Sequence, residues 1–421
     1  MKTQPETRTG TFTRPIVKKS LAVTAGTLML LSVGIPSAFA AAPNGEPTSA
    51  LTSVASAENR ARAASDIQRR MQPLLQDMVD SGLPGVAAFV RDGDKVASLA
   101  AGSANLATSS SMTPEHHMRV GSITKTYTAT IILQLVDEGM LALDDTVEDV
   151  LPGMVPGGES ITLRQLLNHT SGLFDYTYDP KLMEPYLNPD GTFNPSNHYT
   201  SPLELVAASN ANPPRFAPGE DWEYSNTNYI LLGLAIEKVT GHQYAYELHD
   251  RIIEPLGLKD TKFPERSTAI QEPDAHGYQL YGLPSGPFDI TRISPSFAWA
   301  AGGITSSVED MARFGKALMN GELMSDNQLA EMKTTVNEPS SGKPVYGLGL
   351  VKVEVNGVTL WGHGGDLPGY HTSLLTSEDG RQQIAMIANA GLDTWNAEQA
   401  ADWTAATRGA FLATPQASPR S

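Results

Sequence analysis

The chain contains no cysteine among its 421 residues. Disulfide bonds, thiol nucleophiles and cysteine-ligated metal sites are therefore excluded. A chain of this length without cross-links depends on its hydrophobic core, and its composition, 40% hydrophobic and 18% charged, is typical of a globular protein. The length suits one large domain or two closely associated domains.

Three common catalytic motifs are also missing. The sequence has no His-Glu-x-x-His, no Gly-x-Ser-x-Gly and no Gly-x-x-x-x-Gly-Lys-Ser/Thr. Their absence argues against a zinc peptidase, an α/β-hydrolase and a P-loop nucleotide hydrolase. His116 and His117 are adjacent and would point to different faces, which is a weak metal signal. We therefore expect neither a metal ion nor another cofactor.

Basic residues are scarce, with 30 Lys and Arg against 46 Asp and Glu. This balance argues against binding to nucleic acid or to an anionic membrane surface. The one long apolar stretch, residues 21–35, follows a basic segment and precedes an Ala-Phe-Ala cleavage site at 38–40. We therefore predict a signal peptide over residues 1–40 and a secreted or periplasmic monomer with no membrane segment after cleavage. The mature chain would carry a net charge of −20, because residues 1–40 hold five basic residues and one acidic residue.

The periodicity of apolar residues predicts strands near both ends of the mature chain and helices in the middle. A flexible lead-in, residues 41–57, precedes a catalytic domain at 58–415, with a sheet part at 58–121 and 291–415 and a helical part at 122–290. The predicted helices are 58–81, 131–141, a short one from Thr162 that closes near Gly172, 225–239, 307–318 and 395–412. The predicted strands are 86–90, 96–101, 345–351, 353–361, 371–376 and 383–388. This is an α/β (α+β) fold with a cleft between the sheet and a helical insertion.

A Ser-x-x-Lys pair occurs twice, at Ser122/Lys125 and at Ser340/Lys343. Ser340 lies between prolines and a glycine, which favours a surface loop. Ser122 follows Gly121 and precedes an uninterrupted helical pattern, so Lys125 would lie one turn further along the same helix face. Such a lysine, partly desolvated, can take the serine proton. The alternative is a helix-capping serine followed by a solvated lysine.

Two further elements could complete such a site. Tyr224-Ser-Asn226 enters a predicted helix from a rigid loop, whereas the similar triplet at 186–188 is predicted to be an exposed turn. A tyrosine hydroxyl can relay protons and an asparagine amide can hold a carbonyl. His363 ends a strand-like run and is flanked by glycines that allow close backbone approach. Taken alone, Tyr224 would be interpreted as a packed tyrosine, Asn226 as a helix cap and His363 as a structural histidine.

The order and spacing of these three elements resemble the serine β-lactamase and penicillin-binding superfamily. The resemblance is greatest to the branch with class C β-lactamases, esterases, D-aminopeptidases and DD-carboxypeptidases, and within it to the secreted streptomycete D-alanyl-D-alanine carboxypeptidases. "RVGSITKTYTATIILQLVDEGMLALDD", "ITLRQLLNHTSGLFDYT" and "YSNTNYILLGLAIEKVTGH" carry it. It implies an antiparallel sheet with a helical subdomain and an acyl-enzyme on Ser122.

The resemblance also implies roles for individual residues. Lys125 and Tyr224 would share the proton transfers, Asn226 would orient the substrate amide, and His363 stands where other branches carry lysine. Further substrate-binding positions implied in the same way are Gly364, Gly365, Asp366, Tyr176 and Phe297. The backbone N–H groups of Ser122 and Asp366 would form the oxyanion hole.

Two positions depart from the carboxypeptidase pattern. A hydroxyl-bearing residue and an arginine receive the terminal carboxylate in that group, whereas this chain has Gly364 and Val351, with the negative Asp366 nearby. The first expectation is a D-alanyl-D-alanine carboxypeptidase that acts on peptidoglycan stem peptides and is acylated by penicillins. The alternatives are an esterase or D-aminopeptidase (D-amino-acid amidase), a class C-like β-lactamase, and a non-enzymatic β-lactam or cell-wall sensor.

Overall fold

The computed structural model describes residues 51–281, 286–338 and 343–411. The predicted signal peptide, the first part of the lead-in and Ser340 lie outside the described residues. The strands in the described ranges are β1 (Gly85–Asp92), β2 (Lys95–Asn105), β3 (Ser110–Ser111), β4 (Met118–Arg119), β5 (Tyr278–Gln279), β6 (Phe288–Asp289), β7 (Thr305–Ser306), β8 (Val336–Glu338), β9 (Lys343–Tyr346), β10 (Val351–Val355), β11 (Val358–Leu367), β12 (Tyr370–Ser377) and β13 (Gln382–Ala388).

Nine of these strands form one sheet in the order β3-β2-β1-β13-β12-β11-β10-β9-β8. Neighbouring strands in it are antiparallel, and β1 lies between β2 and β13. Strands from the two ends of the chain therefore meet in the middle of the sheet. This confirms the predicted α/β fold with an antiparallel sheet drawn from N- and C-terminal segments.

Helices lie on both faces of the sheet. They are α1 (Leu51–Asp80), α2 (Ile123–Asp137), α3 (Val147–Val150), α4 (Leu163–Leu167), α5 (Pro180–Met183), α6 (Pro202–Asn210), α7 (Asn226–Thr240), α8 (Tyr244–Leu248), α9 (Glu254–Leu256), α10 (Trp299–Gly302), α11 (Val308–Met319), α12 (Asp326–Met332) and α13 (Ala397–Ala410). Helices α1 and α13 pack together on one face, and α2 and α11 contact strands from the other.

Alternation along β13 explains the two layers of core. Ile384 and Met386 pack with α1 and α13, whereas Ala385 and Ile387 belong to the larger core around α2, α7 and α11. Successive side chains of a strand point to opposite faces, so a strand that is apolar at every position must be covered on both. The helices of both faces are therefore required by the strand composition.

The predicted strands 345–351 and 353–361 are wrong in their boundaries. The chain instead leaves β9 at Tyr346, re-enters the sheet at Val351 and turns between β10 and β11 at Asn356-Gly357. Asn356 (φ 50°) and Gly357 (φ 78°) both adopt the left-handed conformation. That conformation suits the two-residue hairpin turn for which Asn-Gly is a strong signal, and the sequence interpretation overlooked it.

Several helix boundaries also differ from the predictions. Helix α1 begins at Leu51, within the predicted lead-in, and α2 ends at Asp137 because Gly139 (φ 71°) terminates it before residue 141. Helix α4 ends at Leu167 rather than near Gly172, since His169 (φ 65°) takes the left-handed conformation.

The prediction of an exposed turn at residues 186–188 is wrong for Tyr186. Its side chain is fully buried in a small core cluster with Phe193 and Phe297. Its hydroxyl donates to the carbonyl of His198. Pro189 and Asp190, which follow, are exposed.

In the described part of the chain, none of the helices has the length and apolar character needed to cross a membrane.

Candidate active site

Ser122 stands at the start of α2 with its hydroxyl available for chemistry. Its backbone is helical (φ −63°, ψ −7°) and its side chain makes no capping hydrogen bond, so the helix-cap interpretation does not apply. Gly121 (φ 55°) makes the turn into the helix, and a Cβ there would lie 2.6 Å from the backbone nitrogen of Asp366. The turn therefore requires glycine, and it places Ser122 beside β11.

Lys125 is completely buried one turn along α2. Its Nζ donates to Ser122 Oγ (3.1 Å), to Asn226 Oδ1 (2.7 Å) and to the carbonyl of Ala301 (2.8 Å). Burial lowers the Lys125 pKa to about 7, and the negative charge of Asp175 partly opposes this shift. Near neutral pH the amine can therefore accept a proton from the serine to which it is hydrogen-bonded.

Tyr224 lies on the other side of Ser122, in the loop that leads into α7. The Lys125 ammonium lies 4.8 Å from the centre of its ring. Burial raises the Tyr224 pKa well above its usual value, while the nearby Ser122 hydroxyl acts in the opposite direction. The phenol is therefore protonated at neutral pH and can supply a proton to a leaving group.

Asn226, at the start of α7, is held by two charged groups. Its Oδ1 accepts from Lys125, and its Nδ2 donates to Asp175 Oδ2 (2.8 Å). Asp175 also accepts from the Asn226 backbone N–H (3.1 Å) and from the Thr177 N–H and hydroxyl (both 2.9 Å). Burial raises the Asp175 pKa, and these hydrogen bonds together with Lys125 counter the rise.

The free part of β11 forms the opposite wall. Strand β10 pairs with β11 only as far as Gly362, whereas β12 pairs along β11 to Leu367. Hydrogen-bonded pairs alternate along an antiparallel ladder, so the backbone groups of Gly364 and Asp366 point away from β12 to this open edge. An extended substrate could pair with this edge, with the Asp366 N–H next to the Ser122 turn.

Gly365 is the contact point between β11 and the segment that precedes Ser122. A Cβ at this position would lie 1.9 Å from the Val120 carbonyl oxygen. At Gly364 a Cβ would meet nothing closer than the Thr372 oxygen at 3.7 Å. Packing therefore requires glycine at position 365 but not at position 364.

His363 is buried and has fixed hydrogen-bond partners. Its Nε2 contacts Tyr346 Oη (2.8 Å) and its Nδ1 contacts the Gly364 carbonyl (2.5 Å). Burial lowers its pKa to about 4, with a further contribution from the positive charge of Lys125. The histidine is thus neutral at pH 7, unlike the lysine that the resemblance places at this position in other branches.

Asp366 and the two aromatic candidates lie around this core. Asp366 Oδ1 is hydrogen-bonded to His371 Nδ1 (2.6 Å). Tyr176 and Phe297 are buried, and the Tyr176 hydroxyl donates to the Phe297 carbonyl (2.6 Å). The two aromatics therefore brace each other behind Asp175 and offer little exposed surface.

Three residues next to the predicted set went unnoticed in the sequence. They are Asp175, His169 and Tyr346. His169 and Asp175 lie in the stretch "ITLRQLLNHTSGLFDYT" that carries the resemblance, and none of the three residues has a local signature of its own. A lone acid in "LFDYT" or a histidine after a short helix becomes conspicuous only when its burial is known. No cluster of three or more potential metal ligands occurs among the described residues.

A serine bonded to a buried lysine, with a tyrosine beside it and an open strand edge opposite, is an arrangement suited to a serine hydrolase. A sequence profile of the Beta-lactamase family matches residues 64–409, and the chain belongs to this family. This confirms the superfamily expected from the three motifs. The narrower resemblance to streptomycete D-alanyl-D-alanine carboxypeptidases is not confirmed.

Relatives within the family carry several activities. A solved D-stereospecific amidohydrolase from Streptomyces sp. is 38% identical, with a TM-score of 0.72 over 80% of this chain and 97% of that one. The D-aminopeptidase of Brucella anthropi is 31% identical over 73% of this chain, which spans only 56% of that protein. A putative penicillin-binding protein, PbpX of Bacillus subtilis, is 28% identical over 76% of this chain and 74% of its own length.

Proposed function

We propose that the protein is an exported D-stereospecific amidohydrolase that cleaves amides or peptides of D-amino acids whose amino group is free. The observation that carries the proposal is the negative charge of Asp366 on β11, which acts on Tyr224 although the carboxylate itself is hydrogen-bonded to His371. A substrate paired with the open edge of β11 and attacked by Ser122 would bring its charged end into the electrostatic field of that carboxylate. The names of the Streptomyces amidohydrolase and the Brucella aminopeptidase support D-stereospecificity.

The charge around Asp366 favours an ammonium group over a carboxylate. The pKa of Asp393 is raised to about 6 by burial and then by the neighbouring charge of Asp366. The Asp366 charge also contributes to the raised pKa of Tyr224, so it acts across the site. Val351 and Gly364 offer no positive charge or hydroxyl to a substrate carboxylate. The imidazole of His371 is bonded to Asp366 Oδ1, and the charge of the carboxylate would still attract an ammonium ion and repel a carboxylate.

The geometry suggests a division of labour in acylation. Ser122 Oγ attacks the substrate carbonyl while neutral Lys125 takes the hydroxyl proton. The backbone N–H groups of Ser122 and Asp366 stabilise the oxyanion, aided by the positive end of the α2 helix dipole. Tyr224 passes a proton to the leaving amine, and Lys125 replaces it. Water then hydrolyses the ester by the reverse proton transfers.

A D-alanyl-D-alanine carboxypeptidase that binds penicillin is the second candidate. The penicillin-binding relative from Bacillus subtilis supports it, as does the proximity of Ser122, Lys125 and Tyr224 that any family acyl-enzyme needs. It ranks second because nothing at Val351 or Gly364 would bind the terminal carboxylate. An esterase or a class C-like β-lactamase would use the same Ser122 chemistry, and a silent sensor would not need the base.

The deciding experiment compares matched substrates. Purified protein is given D-phenylalanine p-nitroanilide, its N-acetyl derivative, its L-enantiomer and a diacetyl-Lys-D-Ala-D-Ala peptide. We expect turnover of the free D-amine alone and none in S122A. In D366N, which keeps the backbone N–H, kcat/KM for the free amine should fall about tenfold, which corresponds to a loss of about 1.4 kcal/mol of charge attraction, and kcat/KM for the N-acetyl substrate should fall less.

Three results would count against the proposal. Preference for the N-acetylated substrate, or cleavage of the D-Ala-D-Ala peptide in its place, would favour the carboxypeptidase. Equal loss of activity in D366N on free and acetylated substrates would show that Asp366 acts on the fold and not on the ammonium group. A fluorescent penicillin that labels Ser122 would fit both candidates, and only its rate of release would separate a β-lactamase.

Export and a monomeric state belong to the same proposal. The basic segment, the apolar stretch and the Ala-Phe-Ala site over residues 1–40 support export. The amino-terminal sequence of protein recovered outside the cytoplasm should begin at residue 41, and light scattering should give the mass of one chain. Retention in the cytoplasm with an intact amino terminus would contradict export.

A further inference from the structure

Three buried residues form a continuous row of hydrogen bonds behind the candidate active site. His169 follows α4, Tyr346 ends β9 and His363 lies in β11. His169 Nε2 is 3.1 Å from Tyr346 Oη, and Tyr346 Oη is 2.8 Å from His363 Nε2. All three side chains are less than 5% exposed. The row therefore links the helical part of the molecule to the sheet.

Backbone groups at both ends of the row fix which atoms donate and which accept in its hydrogen bonds. The Ser225 N–H donates to His169 Nδ1 (3.2 Å), and the carbonyl of Gly364 faces His363 Nδ1 (2.5 Å). A backbone N–H can only donate and a carbonyl can only accept. Nδ1 of His169 must therefore be unprotonated, and Nδ1 of His363 must carry a proton.

A side chain beside the row agrees with this assignment. Asn228 Oδ1 accepts from the Ser171 hydroxyl (2.6 Å), which turns Asn228 Nδ2 towards His169 Nδ1 (3.1 Å). A second donor therefore faces the same bare nitrogen. The ring of His169 also packs against that of Tyr224, with centres 4.2 Å apart.

The positions of the remaining protons follow from the assignments at these two Nδ1 atoms. Neutral His169 carries its proton on Nε2 and donates it to Tyr346 Oη. Because the Tyr346 oxygen accepts there, its own proton is directed to His363 Nε2, which is bare. The two histidines are thus opposite tautomers, and neither nitrogen of His363 is free for a substrate. Tyr229 Oη is also hydrogen-bonded to Tyr346, and because it donates to the Leu167 carbonyl (2.8 Å) it is a second acceptor for the Tyr346 proton; the protonation of His363 Nε2 distinguishes the two arrangements.

We propose that His169 and Tyr346 are positioning residues that hold His363 uncharged, as the Nδ1–H tautomer, so that the charge changes of acyl transfer fall on Lys125 and Tyr224. The row also spans the distance between Ser225, which lies between Tyr224 and Asn226, and Gly364 on the open edge of β11. It therefore sets how far the proton-transfer loop stands from the strand that binds the substrate.

The charged and titratable groups around His363 fit this role. Lys125 faces it from α2, Tyr224 from the loop before α7 and Tyr346 from β9. A proton on His363 would place a second positive charge beside Lys125 in a site with little water, which is unfavourable. The pKa of His169 is likewise lowered well below its usual value by burial, with smaller contributions from Lys125 and His363.

Tautomers are measured directly by nitrogen NMR of the full mature chain labelled at histidine. We expect His169 protonated at Nε2 and His363 protonated at Nδ1, both neutral from pH 5.5 to 8. H169Q and H363Q, made separately, assign the signals. A His363 that is protonated at Nε2, or at both nitrogens at neutral pH, would overturn the proposal. This measurement needs no substrate, so it stands whether or not the proposed D-amidohydrolase activity is found.

A tyrosine variant tests the functional consequence. Y346F removes the proton donated to His363, so the His363 pKa should rise and its tautomer should become mixed. The rate at which a fluorophosphonate probe modifies Ser122 should fall roughly 10- to 100-fold, as expected for displaced catalytic groups. The plot of this rate against pH should also change shape on its acidic side, because His363 begins to titrate there.

The matched control is Y278F, which removes a buried hydroxyl that accepts from the Leu106 N–H, outside the candidate site. It should leave the probe reaction unchanged. If Y346F folds normally by near-ultraviolet circular dichroism and reacts with wild-type rate and pH dependence, the positioning role is wrong. If Y346F does not fold, the tautomers of the wild-type chain decide the question.

Discussion

At the scale of single residues, the reactivity of Ser122 depends on how the charge of Lys125 is set. Burial favours the neutral amine, and the carboxylate of Asp175 favours the ammonium ion. Asp175 reaches the lysine through Asn226, whose amide bridges the two charged groups. The balance leaves the Lys125 pKa at about 7 instead of about 10, which is where a general base works best near neutral pH.

A pH profile follows from this balance. Lys125 must lose its proton to act as a base, so the wild-type rate should rise with pH around a midpoint of about 7. In D175N the charge that raises the Lys125 pKa is lost, and the acid limb should move to lower pH. The rate at the plateau should also fall by about 100-fold, because Asn226 loses its acceptor and turns. The probe reaction of Ser122 measures both effects.

D310N provides the matched control, since Asp310 is a buried acid outside the site that accepts from the Asp260 N–H and the Thr261 hydroxyl. It should destabilise the fold without moving the acid limb. If the acidic side of the pH profile stays in place in D175N, or moves to higher pH, Asp175 does not raise the Lys125 pKa as proposed.

At the scale of elements, β11 both pairs with β12 and packs its free edge against the Ser122 turn, and this constrains Gly364 and Gly365 differently. Its closed side pairs with β12, and its free edge faces the Ser122 turn. Gly365 meets the backbone before Ser122, whereas Gly364 has room for a methyl group. The run of glycines after His363 looks uniform in the sequence, and its members become different only when β11 is packed against α2.

The two glycines should respond differently to the same substitution. G365A forces a methyl group against the Val120 carbonyl, so we expect a loss of about 2–4 kcal/mol of unfolding free energy. G364A should change stability by less than about 1 kcal/mol. Urea unfolding followed by tryptophan fluorescence measures both. Equal stability of the two variants would contradict the close approach of β11 to the turn that carries Ser122.

At the scale of the whole molecule, the sheet cannot form from either end of the chain alone. Strand β1 has β2 on one side and β13 on the other, and α1 packs on α13. The helical part that supplies Tyr224 and Asn226 is inserted between these two halves. The candidate catalytic groups are therefore held together in a structure whose sheet needs strands from both ends of the chain.

A truncated chain should show this dependence. Residues 41–290 produced alone lack β8 to β13 of the nine-stranded sheet and should give no cooperative thermal transition by circular dichroism, because the apolar faces of β1 and α1 lose their cover. Co-expression with residues 291–421 should restore a transition. A cooperative transition from the first fragment alone would contradict the shared sheet.

The local sequence carries much of the chemistry and the fold class. Apolar periodicity predicts strands at both ends and helices between, and Gly121 followed by Ser122 and Lys125 predicts a serine at a helix start. These follow from local sequence, because turn geometry, helix spacing and alternation depend on residues close in the chain. The hairpin at Asn356-Gly357 was also local and could have been predicted.

The environment of the site is decided by contacts between distant segments. Asp175 and Asn226 come from two elements, His169 of the helical part contacts Tyr346 of the sheet, and the charge of Asp366 acts on Asp393 in the turn before α13. Burial and neighbouring charges fix the pKa of Lys125, the neutral state of His363 and the negative end of the cleft. Those quantities depend on which groups the fold brings together and how much water it excludes, and no spacing within one segment contains that information.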